Sequence, residues 1–599
     1  MGREKIYEDF SFLHNRVRKS LYLVILGFSL LALGYWKVQI LDYRKYWSLS
    51  EANRLREIKI PAPRGLFIDR NGVVLADNVA SFKVGLVREN NPEWKLSIPK
   101  VAKLLGLEET VLGDRINKYA SQPAFVPIII KDNLSLEEIA SVEARRSEFP
   151  ELITESEPKR FYPFGCLAAH AIGYLQEVSA EELKSGLFPT KAPGDLIGRS
   201  GLERAYEAWL EGEDGKKWEI VDSLGRSHGE YDRIEPRPGR NLKVTIDFDL
   251  QRKTEELLQG KEGAIVVLDP RSGEILALAS SPNFDPNKFV SRFTSKEWEE
   301  LTSRSDHPFE NRTLRGLYPP GSIFKLTVAL AALQKRLITA DTAFFCAGKA
   351  DFYGRTFSCW FEGGHGWVNL PEAIKNSCNI YFYNLGRRLG IETIASFARN
   401  LGFGSFTGIE LPGEKKGLVP DPEWKRQTQE VDWFAGETIS VSIGQGPLLV
   451  TPLQVAVHTA LISNRGRKIK PRLTLNIPSS GIEKDINDNN GLRINPEHYE
   501  AVIEGMWRSV NASGTGHLAK VEGFDVCGKT GSTQIIGREK AEKLGQVIKP
   551  HSWFTGFAPR YNPKVVVTVL VEYGGLGGAS AAPLAQEIFS FYKRKYLHD

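Results

Sequence analysis

The sequence has few cysteines, little excess charge and only one long apolar run. Five cysteines among 599 residues are too few for a disulfide framework, and an odd number leaves at least one unpaired. Basic residues number 78 against 73 acidic ones, a net charge of +5, and no dense basic block marks a nucleic-acid partner. The length and the 42% apolar content instead predict several globular domains.

The one long apolar run lies near the N-terminus. Residues 21 to 41 read LYLVILGFSLLALGYWKVQIL, and about 20 such residues suffice to cross a bilayer as a helix. Arg16, Arg18 and Lys19 precede the run, so the positive-inside tendency keeps residues 1 to 20 cytoplasmic and exports the rest. No small-residue cleavage site follows, which predicts an uncleaved single-pass anchor in the inner membrane. A buried core helix is the alternative.

The exported part divides at a proline-rich segment. Residues 42 to 238 alternate short apolar runs with Pro and Gly breaks, which predicts an elongated α+β pedestal. Two prolines and a glycine within residues 235 to 240 oppose helix and strand, so we place the main boundary there. Residues 239 to 599 have strand-like runs at both ends and a helical pattern from Pro583 to Tyr596, which predicts an α/β sheet domain closed by its terminal helices.

The main chemical signal begins at Ser322. Lys325 follows three residues later and leads into the apolar run LTVALAALQK, so both side chains are expected on one face of the first turn of a helix. A serine hydroxyl needs a base, and Lys325 can serve if burial and a second cation lower its pKa. The pattern alone is weak, because Ser97, Ser156 and Ser590 also precede a lysine by three residues; solvated surface explains those.

Two further motifs raise Ser322 above the others, because they follow it in the order that penicillin-recognising enzymes have. They are Ser377-Cys378-Asn379 and Lys529-Thr530-Gly531. Additional segments are Arg64-Gly65 with Asp69-Arg70-Asn71-Gly72, Arg160-Phe161-Tyr162-Pro163, Gly198-Arg199-Ser200-Gly201-Leu202-Glu203 and Ser442-Ile443-Gly444-Gln445-Gly446. Over almost its whole length the chain resembles the class B penicillin-binding proteins of the elongation type, which are peptidoglycan D,D-transpeptidases.

The resemblance implies a transpeptidase domain with a five-stranded antiparallel sheet flanked by helices. It also implies a penicillin-sensitive serine acyl-enzyme that cross-links stem peptides. Ser322 would attack the carbonyl of the penultimate D-alanine, and Lys325 would accept the serine proton. Ser377 would relay a proton to the leaving nitrogen, while Asn379 would hydrogen-bond Lys325 and the substrate amide. No cofactor is needed for this catalysis.

The third motif would hold the substrate. Lys529, with Thr530, would bind the substrate carboxylate, and its positive field would favour neutral Lys325. The run from Phe524 to Gln534 reads as a strand, so a peptide could add to it along Gly531, Ser532 and Thr533. By the resemblance, the backbone N–H groups of Ser322 and Ser532 would form the oxyanion hole.

Four candidate metal ligands lie between the first two motifs, namely Cys346, Cys359, His365 and Cys378. Three thiols and an imidazole are a tetrahedral zinc set that leaves no open position, so the predicted role is structural. Elongation-type relatives carry a similar cluster at this place. A disulfide between two of the cysteines, or free thiols, are the alternatives. Cys166 and Cys527 are expected to be small buried residues.

The resemblance also implies partners. Residues 42 to 238 lack the glycosyltransferase of bifunctional relatives, so polymerisation would need a SEDS-family enzyme of RodA type, contacted by the membrane helix and the pedestal. An MreC-like scaffold, β-lactams and the stem peptides are the other expected partners. The alternatives are a division-type transpeptidase, a β-lactamase or carboxypeptidase, a β-lactam sensor, and a catalytically idle activator of the polymerase. The segment from Cys346 to Cys378 favours the elongation type.

Overall fold

The computed structural model describes residues 11–119, 122–192, 194–222, 227–290, 299, 302–475, 494–533 and 549–597. The chain forms two compact units. The smaller consists of residues 1–63, 80–158 and 213–238, and the larger of residues 64–79, 159–212 and 239–599. The last segment of the smaller unit ends in the proline-rich region, whereas 64–79 and 159–212 cluster with the larger unit.

A long exposed helix opens the described chain. Ser11–Trp36 is α-helical and Lys37–Leu41 continues as a π-helical turn. Among the described helices, residues 14–41 form the one segment long and apolar enough to cross a membrane, and none of it is buried by the protein. Such exposure suits a lipid-facing helix, whose backbone groups are satisfied within the helix itself. The predicted apolar helix is therefore confirmed, while residues 1–10 of the predicted cytoplasmic stub lie outside the described residues.

The rest of the smaller unit is α+β, as expected. Its other helices are Tyr43–Arg54, Trp94–Leu105, Glu109–Lys118 and Leu136–Glu143. Its strands are Leu55–Ile60, Ile128–Lys131, Gly215–Val221 and Ser227–Ile234, together with parts of Val74–Leu86 and Leu152–Phe161, which continue into the larger unit. Leu55–Ile60, Gly215–Val221 and Ser227–Ile234 form one antiparallel sheet. The apolar core lies between the short helices and Ile128–Lys131.

Five antiparallel strands form the central sheet of the larger unit, which confirms the predicted transpeptidase sheet. Their order across the sheet is Ile275–Ser281, Gly263–Leu268, Val565–Val571, His551–Ala558 and Cys527–Thr533. The second and third strands read GAIVVL and VVVTVLV and are buried at every position. Side chains alternate between the faces of a strand, so continuous burial requires that helices cover both faces.

The two faces of this sheet pack against different helices. Ile265 and Val267 join one apolar core with the C-terminal helix Ala581–Tyr596, while Ala264 and Val266 join the other with Lys325–Gln334. The other helices of the larger unit are Ala169–Ile172, Ala180–Ser185, Gly201–Ala205, Glu207–Leu210, Phe248–Leu258, Asn287–Val290, Leu370–Lys375, Asn379–Leu389, Ile391–Asn400, Pro422–Gln429, Ala435–Val441, Pro452–Ser463 and Pro496–Asn511, with 3-10 turns at Gly321–Ile323 and His517–Ala519. Its short strands are Phe67–Ile68, Leu175–Glu177, Leu196–Gly198, Leu242–Lys243, Phe344–Cys346, Lys349–Phe352, Arg355–Ser358 and Gly366–Val368.

Three of the sequence segments outside the catalytic motifs meet in a buried ion network of the larger unit. Glu203 is fully buried, and its two carboxylate oxygens accept from Arg64 Nε at 2.7 Å and from Arg160 Nε at 2.8 Å. Burial alone would raise the pKa of Glu203, but the two guanidinium groups lower it below its usual value. A buried pair of this kind is costly to break, because removing one partner leaves an uncompensated charge.

Candidate active site

Ser322 lies in a tight turn that precedes a buried helix. Gly321–Ile323 is one 3-10 turn, and the α-helix begins at Lys325 rather than at the serine itself. Gly321 has φ +54° and donates its N–H to Gly444 O at 2.9 Å. A Cβ on Gly444 would lie 2.1 Å from Gly321 O, so only glycine fits there. The Ser442 to Gly446 segment therefore supports the turn that presents the serine.

Lys325 is fully buried beside the second motif. Its Nζ donates to Asn379 Oδ1 at 2.7 Å, to Ser377 O at 2.8 Å and to Ser377 Oγ at 3.2 Å. Burial lowers the pKa of Lys325 to about 8. The three oxygens are all uncharged, so the lysine can lose its proton without leaving a carboxylate unpaired. The structure thus brings the first and second motifs together as predicted.

Ser377 has a backbone conformation that is rare for a residue with a side chain. Its φ is +53°, in the left-handed region that disfavours non-glycine residues. This conformation turns both its carbonyl oxygen and its hydroxyl toward Lys325. Backbone strain of this kind persists only where the surroundings over-determine it, and it concentrates at functional sites.

The third motif lies on the edge strand Cys527–Thr533, whose one partner among the described strands is His551–Ala558. Lys529 is fully buried, and its Nζ donates to Thr530 O at 3.0 Å. Burial, followed by repulsion from Lys325, holds the pKa of Lys529 well below its usual range.

A cleft of about 1000 Å³ is lined by residues of all three motifs, while Lys325 and Lys529 lie buried behind its surface. Its lining includes Ser322, Ser377, Asn379, Thr530, Gly531 and Ser532. The Ser532 hydroxyl accepts from Gly577 N at 3.0 Å, which places the loop after Val565–Val571 against the edge strand. Thr533, the remaining predicted substrate residue, is fully buried and does not line the cleft; its methyl group faces Gly321 instead.

Thr515 is a site residue that the sequence reasoning missed. The Thr530 hydroxyl donates to Thr515 Oγ1 at 2.9 Å, and Thr515 N donates to Lys375 O at 3.2 Å. Thr515 therefore links the third motif to the helix that ends just before Ser377. The available signal was the small-residue run Ser513-Gly514-Thr515-Gly516, which reads as an ordinary turn between a helix and a strand.

The four predicted metal ligands converge beside the second motif. Their ligand atoms all lie within 4.8 Å of one another, and His365 Nδ1 is 3.5 Å from Cys346 Sγ and 3.6 Å from Cys359 Sγ. Tetrahedral zinc with Zn–S bonds of about 2.3 Å needs sulfur atoms about 4 Å apart, so the donor set fits this ion. All five cysteines lie in described residues and no disulfide joins any of them. Cys527 is buried as expected, whereas Cys166 is only half-buried.

The cysteine segment is hydrogen-bonded directly to the second motif. Trp360 Nε1 donates to Asn376 O at 2.9 Å, and Asn379 Nδ2 donates to Ser358 O at 3.4 Å. Cys378 itself lies between Ser377 and Asn379 and begins the helix Asn379–Leu389. A well-ordered conformation of residues 346–378 therefore helps to position the Ser377 and Asn379 side chains.

Comparisons with known proteins agree with this geometry. A family described as penicillin binding protein transpeptidase domain matches residues 263–590, and one described as penicillin-binding protein dimerisation domain matches residues 59–244. Peptidoglycan D,D-transpeptidase MrdA of Acinetobacter baumannii is 35% identical over 588 residues, which cover 95% of this chain and 86% of the relative. The protein of that name from Escherichia coli K12 is 29% identical, with coverages of 94% and 92%.

Solved structures give the same assignment. PBP2 of Helicobacter pylori, solved in a complex with MreC, superposes with a TM-score of 0.79 at 29% identity and covers 91% of this chain and 99% of that one. A chain of a peptidoglycan synthase complex that coordinates polymerization and crosslinking has a TM-score of 0.70 at 29% identity, with coverages of 96% and 98%. The MrdA relatives decide between the elongation and division types. The chain belongs to the class B penicillin-binding proteins and is a serine-type peptidoglycan D,D-transpeptidase of the elongation type.

Proposed function

We propose that Ser322 is the nucleophile of this transpeptidase and that Lys325 is its base. The observation that carries this assignment is the position of Lys325, buried among three uncharged oxygens of Ser377 and Asn379 and with a pKa lowered to about 8. A neutral Lys325 accepts the proton of Ser322 as its Oγ bonds to the carbonyl carbon of the penultimate D-alanine. The hydroxyl of Ser377, which contacts Lys325 Nζ, then passes a proton to the nitrogen of the leaving D-alanine.

Lys529 and Thr530 bind the substrate carboxylate in this proposal. The pKa of Lys529 is low because the lysine is buried beside Lys325, and no negative charge acts on it from the described groups. An incoming carboxylate supplies that charge, favours the ammonium form of Lys529 and so couples carboxylate recognition to protonation. Thr515 Oγ1 accepts from the Thr530 hydroxyl and so holds the Thr530 side chain in place beside the carboxylate position.

The donor peptide adds to the edge strand Cys527–Thr533. Main-chain hydrogen bonds align an extended peptide beside an open strand edge, and neighbouring side chains provide specificity. Gly531 and Ser532 line the cleft at this edge. The backbone N–H groups of Ser322 and Ser532 receive the oxyanion as the tetrahedral intermediate forms.

Cys346, Cys359, His365 and Cys378 would hold one structural zinc ion. With four protein ligands the ion would supply folding free energy to residues 346–378 and no chemistry to the reaction. In this segment, Trp360 hydrogen-bonds Asn376 and Ser358 hydrogen-bonds Asn379, and these contacts connect the proposed metal site to the second motif. The thiol-rich donor set, already converged, is what supports this assignment.

The N-terminal helix anchors the protein in the inner membrane, with residues 1–20 cytoplasmic and the catalytic unit outside. The three basic residues before the apolar run support this orientation. We assign residues 42–238 to a pedestal and 239–599 to the transpeptidase domain. A RodA-type SEDS polymerase would contact the helix and pedestal, and an MreC-like scaffold would join the same assembly; the relatives solved with MreC and in a synthase complex support these partners.

The roles of Lys325 and Ser377 are tested by the second-order rate of acylation by benzylpenicillin. Lys325→Ala should slow acylation by about a thousandfold, because general-base catalysis is lost. Ser377→Ala should slow it less than Lys325→Ala, since the base remains. Equal rates for wild type and Lys325→Ala, with both proteins folded, would exclude Lys325 as the base.

A further inference from the structure

The catalytic cleft has a wall that the proposed acyl-transfer groups do not use. This wall comes from the cysteine segment and includes Gly348, Lys349, Trp360 and Glu362. The backbone segments of this wall contact one another directly. Cys359 N donates to Gly348 O at 2.7 Å, and a Cβ on Gly348 would lie 2.0 Å from Glu362 O. The backbone around Glu362 is therefore closely packed, while its side chain is exposed.

Trp360 presents a fixed aromatic surface in this wall. Its indole Nε1 donates to Asn376 O, the residue just before Ser377, so the ring is oriented with respect to the second motif. The side chain nevertheless remains 57% exposed. An exposed tryptophan whose polar edge is satisfied leaves its apolar face for a ligand, and aromatic rings carry much of the binding free energy at recognition sites.

Glu362 is the one carboxylate among the described residues that line the cleft. The structure gives its side chain no hydrogen bond or ion pair with any described residue. The second substrate of a transpeptidase carries a primary amine, which is an ammonium group in neutral solution. A carboxylate without a partner at the cleft wall is the complement of that ammonium, whereas the donor carboxylate is matched by Lys529 on the edge strand.

We infer that Trp360 and Glu362 form the acceptor subsite, which takes the amine-bearing stem peptide of a neighbouring strand. The donor lies along the edge strand, and the wall formed by the cysteine segment contributes both an exposed aromatic ring and the one carboxylate of the described cleft lining, so we place the acceptor there. Trp360 packs against the peptide and Glu362 holds its ammonium group at the cleft. This assignment rests on the proposed acyl-enzyme at Ser322.

The reaction that follows balances without a further reactant. The ammonium group releases one proton to solvent, and the neutral amine nitrogen bonds to the carbonyl carbon of the Ser322 ester. The bond between that carbon and Ser322 Oγ breaks, and the second amine proton reaches Oγ through Lys325. A peptide bond and the free serine result. Glu362 orients the amine and takes no part in the bond changes.

The test measures aminolysis against hydrolysis of the acyl-enzyme in the full-length protein in detergent micelles. A thioester analogue of D-Ala-D-Ala acylates the enzyme, and mass spectrometry quantifies both products as the acceptor concentration rises. The acceptors are a stem tripeptide with a free side-chain amine and hydroxylamine, which is uncharged at neutral pH. Glu392→Gln is the matched control, because Glu392 is exposed in the same unit and does not line the cleft.

Glu362→Gln should raise the half-saturating tripeptide concentration about threefold, as expected for a partly exposed ion pair. Trp360→Ala should raise it about fivefold, with Trp360→Phe intermediate. Glu362→Gln should affect neither aminolysis by hydroxylamine nor acylation by benzylpenicillin. Trp360→Ala and Trp360→Phe both lose the hydrogen bond to Asn376, so the difference between these two variants measures the contribution of the aromatic ring. An unchanged half-saturating tripeptide concentration, or an equal increase in the half-saturating hydroxylamine concentration, would overturn the proposed subsite. Benzylpenicillin adducts that persist in Ser322→Ala would instead refute the proposed nucleophile, so the two failures are distinguishable.

Discussion

Lys325 Nζ lies 2.7 Å from Asn379 Oδ1, although 54 residues separate the two along the chain. This contact closes the first motif onto the second inside a buried pocket. Burial lowers the pKa of this lysine, and the acceptors around it carry no charge that would offset the effect, so its proton is easier to remove than that of an ordinary lysine. The proposed mechanism depends on that property, and several measurable consequences follow from it and from the supporting structure.

Acylation should depend on pH through Lys325. The base must be neutral, and burial sets its pKa at about 8, so the rate should rise with pH and level off above about 8. Below this value, the rate of acylation by benzylpenicillin should fall about tenfold for each pH unit, because the neutral fraction does. Stopped-flow rates from about pH 6 to about pH 9.5 provide the check. A flat profile would assign the base to a different group.

Replacing Gly444 should disturb the serine turn far more than replacing Gly446. Both have positive φ, +77° and +79°, so either alanine variant carries a backbone cost of about 1 kcal/mol. Only at Gly444 would the new Cβ meet a backbone oxygen, Gly321 O at 2.1 Å; at Gly446 the nearest atom is a methyl group of Val441 at 3.7 Å. Gly444→Ala should therefore lower both the melting temperature and the acylation rate more than Gly446→Ala. Similar decreases in melting temperature and acylation rate for the two variants would argue against a role of Gly444 in supporting the serine turn.

Thr515 should act through Thr530. Thr515→Val removes the hydroxyl that accepts from Thr530 at 2.9 Å, so the Thr530 side chain is no longer held in place. Carboxylate binding should then weaken about tenfold, which corresponds to the free energy of about one hydrogen bond. Thr515→Ser keeps the hydroxyl and should stay near wild type. The readout is acylation by substrate analogues with and without the terminal carboxylate. If Thr515→Val slowed acylation by both kinds of analogue equally, Thr515 would have a structural role only.

The cysteine cluster should bind one zinc ion per chain. Elemental analysis of purified protein should give that ratio, and Cys359→Ser should lower both zinc content and melting temperature, because metal binding contributes directly to folding. Cys166→Ser is the matched control, since Cys166 lies outside the cluster and should retain the metal. Zinc-free protein with a disulfide among Cys346, Cys359 and Cys378 would contradict the assignment.

Much of the site could be predicted from sequence because its chemistry lies in short contiguous motifs. Ser322, Lys325, Ser377, Asn379 and Lys529 each have a local pattern, and the fold brings four of them together at hydrogen-bonding distance or in one cleft. The strands Gly263–Leu268 and Val565–Val571 were visible as apolar β-branched runs.

Other features depend on contacts between distant segments. Thr515 meets Thr530 and Lys375 only after the sheet has formed, and nothing in its local sequence distinguishes it from a turn residue. The same is true of Trp360, whose indole reaches Asn376. The 3-10 turn at Ser322 was expected to be α-helical, because the helical pattern of the following residues does not reveal that Gly444 supports a tighter turn.

The central claim, that Ser322 is the acylated nucleophile, is tested most directly by the intact mass of the full-length protein in detergent, with and without benzylpenicillin, beside Ser322→Ala. Wild type should gain the mass of one penicilloyl group, and the adduct should persist because a transpeptidase hydrolyses it slowly. Folded Ser322→Ala should gain nothing. An adduct on that variant, or none on wild type, would contradict the account.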